Sequence, residues 1–228
     1  MRLIAFDTSS PAISAVAVDG AMTRSARHEH LDRGHAELIL PLLAELLAEA
    51  GWAWGEVDLV AVALGPGNFT SVRAGIAVAR ALVLALGCRA MGLGSLEILA
   101  ESAAGQAVLA EPIDVVVDAR RNEVYAQRFA YDLTPLTEPA LVPVEEFGTS
   151  FLDVGLLVGD AATAAAAQCR SPLRVLAGDR DPSTLARLVA RRLAEGAAAV
   201  PPTGLRPVYV RAPDARPGAG ASLLPVRA

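Results

Sequence analysis

The sequence lacks lysine, and all 20 of its basic residues are arginine. This absence excludes a phosphate-loop lysine, a Schiff-base lysine and a lysine general base. There are only two cysteines, Cys88 and Cys169, which are far apart and form no CxxC pair. That pattern predicts two buried thiols in a reducing compartment.

We expect no leader sequence and no membrane span, and the sequence has no basic tract. The N-terminus has only four apolar residues ahead of Asp7, too few for a signal peptide. The longest apolar stretch contains Arg80 and falls short of a membrane span. Because the formal net charge is −5 and no basic tract is present, we expect no nucleic-acid binding by the chain alone. We expect a cytoplasmic protein without a membrane segment, and an acidic chain of this kind would need a partner to hold RNA well.

Hydrophobic residues make up 53% of the 228-residue chain, enough for the core of one domain or two small ones. Apolar patterns and turn residues predict the order β-β-β-α-β-α for the first half. The elements are strands at 3–6, 14–18, 21–25 and 57–64, and helices from 32 or 34 to 50 and from 72 to 86. For the second half, the same patterns predict strands at 113–117, 123–130, 156–158 and 207–211, with helices capped by Asp160 and Asp181. This pattern predicts two α/β lobes hinged near residues 100–112.

The predicted helix over 72–86 is apolar almost all the way round. Arg73 and Arg80 are its only charged side chains, and their spacing of seven places them on one face. A globular helix normally keeps about half of its circumference polar, so this helix must be covered on nearly every side. The cover is either the rest of this fold or another protein.

Two polar motifs follow predicted strands and are candidate ligand sites. Asp7-Thr8-Ser9-Ser10 ends the first strand, at a sheet edge where an acid can hold a metal and a phosphate; the alternative is a polar turn. The run from Gly65 to Gly75 could cradle a phosphate with backbone N–H groups. We favour a mechanical role for it, in which Asn68 or Thr70 caps the helix and small residues admit a neighbouring helix.

No metal or nucleophile motif is complete. The three histidines and their neighbouring acid lack the i, i+4 spacing of a helical zinc site, and we expect exposed polar residues on a loop. These residues are His28, Glu29, His30 and His35. No candidate serine lies in a GxSxG motif, so no serine nucleophile is assigned. The candidates are Ser9, Ser71 and Ser95.

The run GPGNFTSVRAG at residues 65–75 resembles the GPGSFTGLRIG signature of the TsaB (YeaZ) family. Asn68 and Ser71 stand where the family usually has serine and glycine. Three further motifs match the family in the same order: DTS at 7–9, DARRNEVY at 118–125 and PVYVR at 207–211. The resemblance spans about residues 1–211.

The resemblance implies a two-lobed actin/Hsp70/sugar-kinase-like α/β fold, in which each lobe is a mixed sheet with flanking helices. The implied division is an N-terminal lobe at 1–105 that carries the partner-binding helices, a C-terminal lobe at 106–211 and a loose Pro/Gly-rich tail at 212–228. The implied function is that of a non-catalytic partner of TsaD in the formation of N6-threonylcarbamoyladenosine at position 37 of tRNAs that read ANN codons. TsaD carries out the carbamoyl transfer, and a TsaE-type ATPase completes the assembly. No tightly bound cofactor is implied, and ATP is expected only in the complex.

Departures from the TsaD pattern favour a chain without activity of its own. TsaD relatives carry further acids after the first strand, where this sequence has Pro11 and Ala12. Their metal-binding HxxxH corresponds, in a provisional register, to Ser95 and Leu99, which cannot bind iron or zinc as histidine does. No catalytic residue and no metal site are therefore predicted.

In the TsaB family the two long helices pack against their counterparts in TsaD or in a second copy. We expect a heterodimer with a TsaD-type protein through about residues 34–50 and 69–86, and a homodimer through the same helices can coexist with it. The predicted interface residues are Leu38, Leu42, Leu46, Phe69, Val72, Arg73, Ile76, Ala77, Arg80 and Val83.

The alternative function is that of an ATP-binding enzyme of the same fold, an ATPase or small-molecule kinase acting alone. In that case Asp7 would hold the metal and phosphate, and Asp118 would act as a base or metal ligand. In a TsaB-type protein, Asp7, Thr8 and Asp118 would form at most a vestigial nucleotide site.

Overall fold

Two five-stranded mixed sheets carry the fold in a computed structural model that describes residues 1–31, 34–106, 110–170, 174–178 and 180–211. The first sheet has the order β3-β2-β1-β4-β5. Its strands are β1 (Arg2–Ser10), β2 (Ala12–Asp19), β3 (Met22–His30), β4 (Leu59–Ala63) and β5 (Arg89–Leu93). The first three strands are antiparallel, whereas β4 pairs in parallel with β1 and β5 in parallel with β4.

Helices cover both faces of this sheet. On one face lie α1 (His35–Ala50) and α2 (Phe69–Leu86), and on the other lie α3 (Ser95–Gln106) and α6 (Pro182–Ala194). Each of the first two helices ends at a glycine in the left-handed conformation, Gly51 and Gly87, where a side chain would be strained. The central strands are buried on both faces, as the strands of a covered sheet must be.

The second sheet has the order β10-β9-β6-β7-β8. Its strands are β6 (Ile113–Asp118), β7 (Glu123–Phe129), β8 (Ala140–Pro143), β9 (Leu156–Val158) and β10 (Arg174–Leu176). The short helices α4 (Phe147–Ser150) and α5 (Ala162–Ala166) cover one face, and α3 packs on the other. Short 3-10 turns occupy Trp54–Glu56, Val144–Glu146 and Pro202–Gly204. Because α3 contributes to the cores of both lobes, it joins the two sheets.

The structure confirms the predicted fold class and the order β-β-β-α-β-α of the first half. The strands β5, β8 and β10 and the helices α3 and α4 were not predicted. The strand predicted at 207–211 is wrong, because this extended segment pairs with no strand and makes only one backbone bond to the first sheet, from Val208 to Leu64.

Two local predictions are also wrong. His28, Glu29 and His30 lie in β3 rather than on a loop. Asp160 does not cap the helix after it, since its Oδ1 accepts the N–H of Asp118 at 2.9 Å. The fold itself buries only one face of α2, so of the two covers expected for this helix the rest of the fold supplies one side, and cover by another protein stays a prediction.

The predicted division at 1–105, 106–211 and 212–228 stays a prediction, and the tail lies outside the described residues. The packing of α6 bears on the predicted boundary between the two lobes. Leu185, Leu188 and Val189 of α6 share a core cluster with the strands of the first sheet. The chain after residue 181 therefore returns to the N-terminal sheet.

Candidate functional site

The outer side of α2 is an apolar surface that the chain itself leaves uncovered. Its inward residues pack in the core of the first lobe. Its outward row runs through Arg73, Ala77, Ala81 and Leu84, and Leu84 is 73% exposed. Only one residue of this row carries a charge, which is unusual for a helix face left in water.

The neighbouring helix α1 continues the same surface. It contacts α2 and exposes a second set of small or apolar side chains. We call the combined surface the α1–α2 face; its residues are Leu38, Leu40, Ala44, Ala48, Ala77, Ala81 and Leu84. Exposed small and apolar side chains on two neighbouring helices are typical of a protein–protein interface.

The structure divides the ten predicted interface residues into two groups. Leu38, Phe69, Arg73 and Ala77 are exposed, and Arg80 is half-buried with its guanidinium bonded to the carbonyl of Leu205. The other five belong to the core of the first lobe and have no free surface to offer a partner. They are Leu42, Leu46, Val72, Ile76 and Val83. The apolar pattern of the two helices was sufficient to find the surface but not to decide which side chains point outward.

By length and composition, α2 is also a candidate membrane span. Its inward face, however, packs on β1 and β4 and forms part of the buried core of the first lobe. Packing within the fold therefore explains the apolar residues on the inward face of this helix.

Gly67 and Gly75 of the 65–75 run lie where the start of α2 closely approaches the end of β1, which leaves no room for a side chain. A methyl group on Gly67 would lie 2.4 Å from the carbonyl oxygen of Ser9, and one on Gly75 would lie 2.5 Å from the Thr8 hydroxyl. Thr8 donates that hydroxyl to the Ser71 carbonyl at 2.8 Å. These contacts favour the mechanical role of the loop.

Asn68 is the cap of α2, one of the two residues predicted for that role. Its side-chain oxygen accepts the N–H groups of Thr70 and Ser71, each at 3.1 Å. A phosphate at this helix start would compete for these same N–H groups.

The candidate metal-binding acid Asp7 already has a cation. Its side chain is 1% exposed, its Oδ2 accepts from Arg180 Nη1 at 2.6 Å, and its Oδ1 accepts the N–H of Ser9 at 2.7 Å. The same Arg180 nitrogen also donates to the Ser9 hydroxyl at 2.7 Å. A buried carboxylate requires a paired charge, and here the chain supplies it.

Arg180 is itself held at its backbone. Its carbonyl oxygen accepts the Ser14 hydroxyl at 2.6 Å, and this hydroxyl lies 2.8 Å from His28 Nδ1. Because the Ser14 proton is donated to the carbonyl, His28 is the donor in the second bond. The segment before α6 is thereby fixed against the end of β1.

Asp118 belongs to a separate group of residues. It ends β6, and its carboxylate accepts the N–H of Arg120 at 2.8 Å and pairs with that guanidinium at 3.2 Å. Arg120, Arg121 and Asn122 then form a turn with three consecutive positive φ angles, between 58° and 64°. All contacts given for Asp118 lie within the second lobe, whereas Asp7 and Thr8 are bonded within the first lobe and to Arg180.

A cleft of about 260 Å³ opens between the two lobes. It is lined by Gly65, Pro66, Gly94, Leu96, Glu97, Gln127, Pro135, Glu138, Pro139 and Val208. The lining includes two carboxylates and no arginine; Glu97 is paired with Arg192 from outside the lining, which leaves Glu138 as the other acid.

Among the described residues, no group of three or more His, Cys, Asp or Glu side chains is suited to a metal ion. Burial raises the pKa of both cysteine thiols, Cys88 and Cys169, so neither thiol is activated as a nucleophile.

Sequence reasoning missed two residues that matter here, Arg180 and Tyr209. Arg180 is 173 positions from Asp7, and no local pattern indicates their pairing. Tyr209 lies in the PVYVR motif, but its contact with Arg73 joins residues 136 positions apart.

Comparisons with known proteins agree with the motifs. Residues 28–149, more than half of the chain, match the family model described as TsaD, tRNA N6-adenosine threonylcarbamoyltransferase. An uncharacterized protein of Mycobacterium tuberculosis is 32% identical over 219 residues, which cover 94% of each chain. The tRNA threonylcarbamoyladenosine biosynthesis protein TsaB of Haemophilus influenzae is 36% identical over 126 residues, 55% of this chain and 52% of that protein.

The fold comparison gives the same result over almost the whole chain. YeaZ from Pseudomonas aeruginosa superimposes with a TM-score of 0.79 at 28% identity, covering 91% of this chain and 99% of that one. Sequence, motifs and fold agree that this chain belongs to the TsaB (YeaZ) family.

Proposed function

We propose that the chain is a non-catalytic partner of a TsaD-type protein in the formation of N6-threonylcarbamoyladenosine at position 37 of tRNAs that read ANN codons. The α1–α2 face carries this proposal, because a family member that leaves an apolar helix pair uncovered has a surface suited to a homologous partner. The match of residues 28–149 to the TsaD model spans both helices, so a TsaD-type protein has counterparts of them.

The assignment as a non-catalytic subunit is supported by the ligand environment. Arg180 neutralises Asp7, the chain has no lysine, and no arginine lines the cleft between the lobes. A Mg–nucleotide would have to displace Arg180 from a buried ion pair before it could reach Asp7.

The remaining parts of the proposal follow from that role. A TsaE-type ATPase completes the assembly, ATP acts only in the complex, and tRNA is reached through the complex in the cytoplasm. A homodimer through the same face is a storage form that competes with the heterodimer.

The alternative, an ATPase or small-molecule kinase acting alone, requires Asp7 to accept a metal. Titration calorimetry of the isolated chain with Mg-ATP separates the two proposals. We expect no binding heat; binding that is lost in Asp7→Asn would favour the enzyme.

A charge placed on the α1–α2 face tests the proposed interface. Ala77→Glu puts a carboxylate at the centre of the face, and we expect it to abolish co-purification with the TsaD-type protein of the same organism, since an unpaired charge would be buried. The matched control is Ala190→Glu, the same exchange at an exposed position of α6 on the opposite side of the first sheet. Co-purification of Ala77→Glu at the level of the control would contradict the interface.

A further inference from the structure

An exposed arginine at the start of α2 lies against two neighbouring aromatic rings. The Arg73 guanidinium carbon lies 3.6 Å from the Phe69 ring centroid and 5.3 Å from that of Tyr209. Arg73 Nε donates to the Tyr209 hydroxyl at 2.7 Å, and the two ring centroids are 6.0 Å apart. Phe69 and Tyr209 are nevertheless 57% and 55% exposed. We call these three residues the arginine clamp.

The clamp is built from two segments that are fixed independently. Phe69 and Arg73 belong to the first turns of α2, behind the Asn68 cap. Tyr209 belongs to the extended segment 205–211, which we call the strap. The strap is held by Leu205, which is buried in the core of the first lobe and whose carbonyl accepts two bonds from Arg80.

Further along, the strap is attached to both lobes. The N–H of Val208 bonds to the Leu64 carbonyl at 2.8 Å. Arg211 donates to the Ala119 carbonyl at 2.8 Å and pairs with Glu123 at 2.6 Å. Tyr209 therefore reaches Arg73 from a backbone that is anchored on either side of it.

This arrangement leaves one edge of the guanidinium available. Only the Nε of Arg73 has a hydrogen-bond partner among the described residues, so the edge formed by its two terminal nitrogens carries no bond there. Two parallel N–H groups in a fixed plane match the two oxygens of a carboxylate. Because Arg73 is already ordered, little side-chain entropy is lost when such a carboxylate binds.

We propose that the arginine clamp receives an Asp or Glu side chain of the TsaD-type partner at the edge of the α1–α2 face. The clamp is continuous with this face, since Arg73 begins the outward row that runs through Ala77 and Ala81. Tyr and Arg are the residue types enriched at the positions that dominate interface energies. This inference rests on the proposed function and adds Tyr209, which lies outside both helices, to the interface.

A phosphate of tRNA is the other chemistry that an arginine fork can bind. The surroundings of Arg73 favour the protein partner, because its outward row is apolar and the chain carries a net charge of −5. A nucleic-acid site normally gathers several cations on one face.

Titration calorimetry with the TsaD-type protein of the same organism tests the clamp in about 0.15 M salt. For Arg73→Ala we expect binding weakened at least about 30-fold, and for Tyr209→Ala about tenfold. Arg73→Lys keeps the charge but not the fork and should also weaken binding about tenfold or more. In the Arg73→Ala background, Tyr209→Ala should weaken binding less than about threefold further, because Tyr209 acts through Arg73.

The control is Tyr131→Ala, which removes a tyrosine of similar exposure, 63%, from the second lobe and should leave the affinity unchanged. Thermal unfolding of each variant shows whether the fold is intact, and Tyr209→Phe keeps the ring while removing the acceptor for Arg73. Wild-type binding with unchanged affinity in the Arg73 and Tyr209 variants would overturn the clamp alone. Absence of wild-type binding would overturn the proposed function and the clamp with it. Unchanged protein affinity but weaker tRNA binding by the Arg73→Ala complex would assign the fork to phosphate and contradict the proposal.

Discussion

At the residue scale, the contact that distinguishes this chain from a nucleotide-binding enzyme is the pair of Asp7 and Arg180. The carboxylate that could hold a metal is buried and bonded at 2.6 Å to an arginine of the same chain. Removing one partner of such a pair leaves an uncompensated buried charge, at a cost of about 3–5 kcal/mol. The pair therefore stabilises an Asp7 carboxylate occupied by Arg180, whereas the alternative function requires this carboxylate to be free for a metal.

Ser95 offers a test at the same scale. Its hydroxyl is buried and has no hydrogen-bond partner among the described residues. Leaving a buried polar group unpaired costs about 1–3 kcal/mol, so we expect Ser95→Ala to keep or raise the free energy of unfolding. Urea unfolding measures the change.

The control for this substitution is Ser14→Ala. Ser14 is equally buried, but its hydroxyl bonds to the Arg180 carbonyl. Its loss should lower the free energy of unfolding by about 1–2 kcal/mol. Equal losses in the two variants would mean that Ser95 has a partner after all.

At the scale of elements, two of the three glycines in the 65–75 run, Gly67 and Gly75, decide how closely α2 approaches β1. In Gly67→Ala the new methyl group would meet the backbone of Ser9, which cannot move without disturbing the strand. We expect a loss of about 1–3 kcal/mol, as for other overpacked sites, and a smaller loss in Gly75→Ala, where the neighbour is the Thr8 side chain. Denaturant unfolding gives both values. Gly55→Ala is the control, because its methyl group meets nothing within 4 Å, and a loss there as large as in Gly67→Ala would refute this explanation.

The start of α6 gives a pH-dependent prediction. Asp181 caps this helix, and hydrogen bonds from Ser183, first its side chain and then its backbone N–H, lower the pKa of Asp181. A lowered pKa stabilises the fold at any pH above the unfolded value of about 4, and this contribution is lost as the pH falls through the folded pKa. Asp181→Ala should therefore lower the free energy of unfolding by about 1 kcal/mol at neutral pH.

Chemical unfolding between about pH 7 and 3 measures this effect, and the difference from wild type should shrink toward the acid end. Asp181→Asn serves as the control, since an asparagine caps a helix without titrating. A constant difference between Asp181→Ala and wild type across this range would show that the carboxylate contributes nothing through its charge.

The elements also show which features the sequence could predict. Long periodic segments and the residues that end them were sufficient to predict α1, α2 and the first hairpin. Gly51 ends α1, Asn68 caps α2 and Gly20 forms the hairpin turn, and each acts through its local backbone conformation or hydrogen bonds. β5, β8 and β10 were missed because they are short and their pairing depends on neighbours distant in the chain.

For the site, the location of the surface was predictable but its outward residues were not. Apolar residues surround α2 on all sides, so periodicity alone could not separate buried Val72 and Ile76 from exposed Ala77. Arg180 and Tyr209 act through contacts between distant segments, which no local pattern indicates.

At the scale of the whole molecule, two segments fasten the lobes together. α3 shares the cores of both sheets, and the strap bonds to Leu64 of the first lobe and to Ala119 and Glu123 of the second. The lobes are fixed and Asp7 is neutralised by Arg180, but the apolar side chains of the α1–α2 face stay exposed in the described structure. A partner that covers it completes the burial that the sequence of α2 requires.

The most direct measurement is light scattering behind gel filtration on the wild-type chain, alone and mixed with the TsaD-type protein of the same organism. We predict a one-to-one complex of the two proteins. Separate elution of the two proteins, with and without ATP, would contradict it.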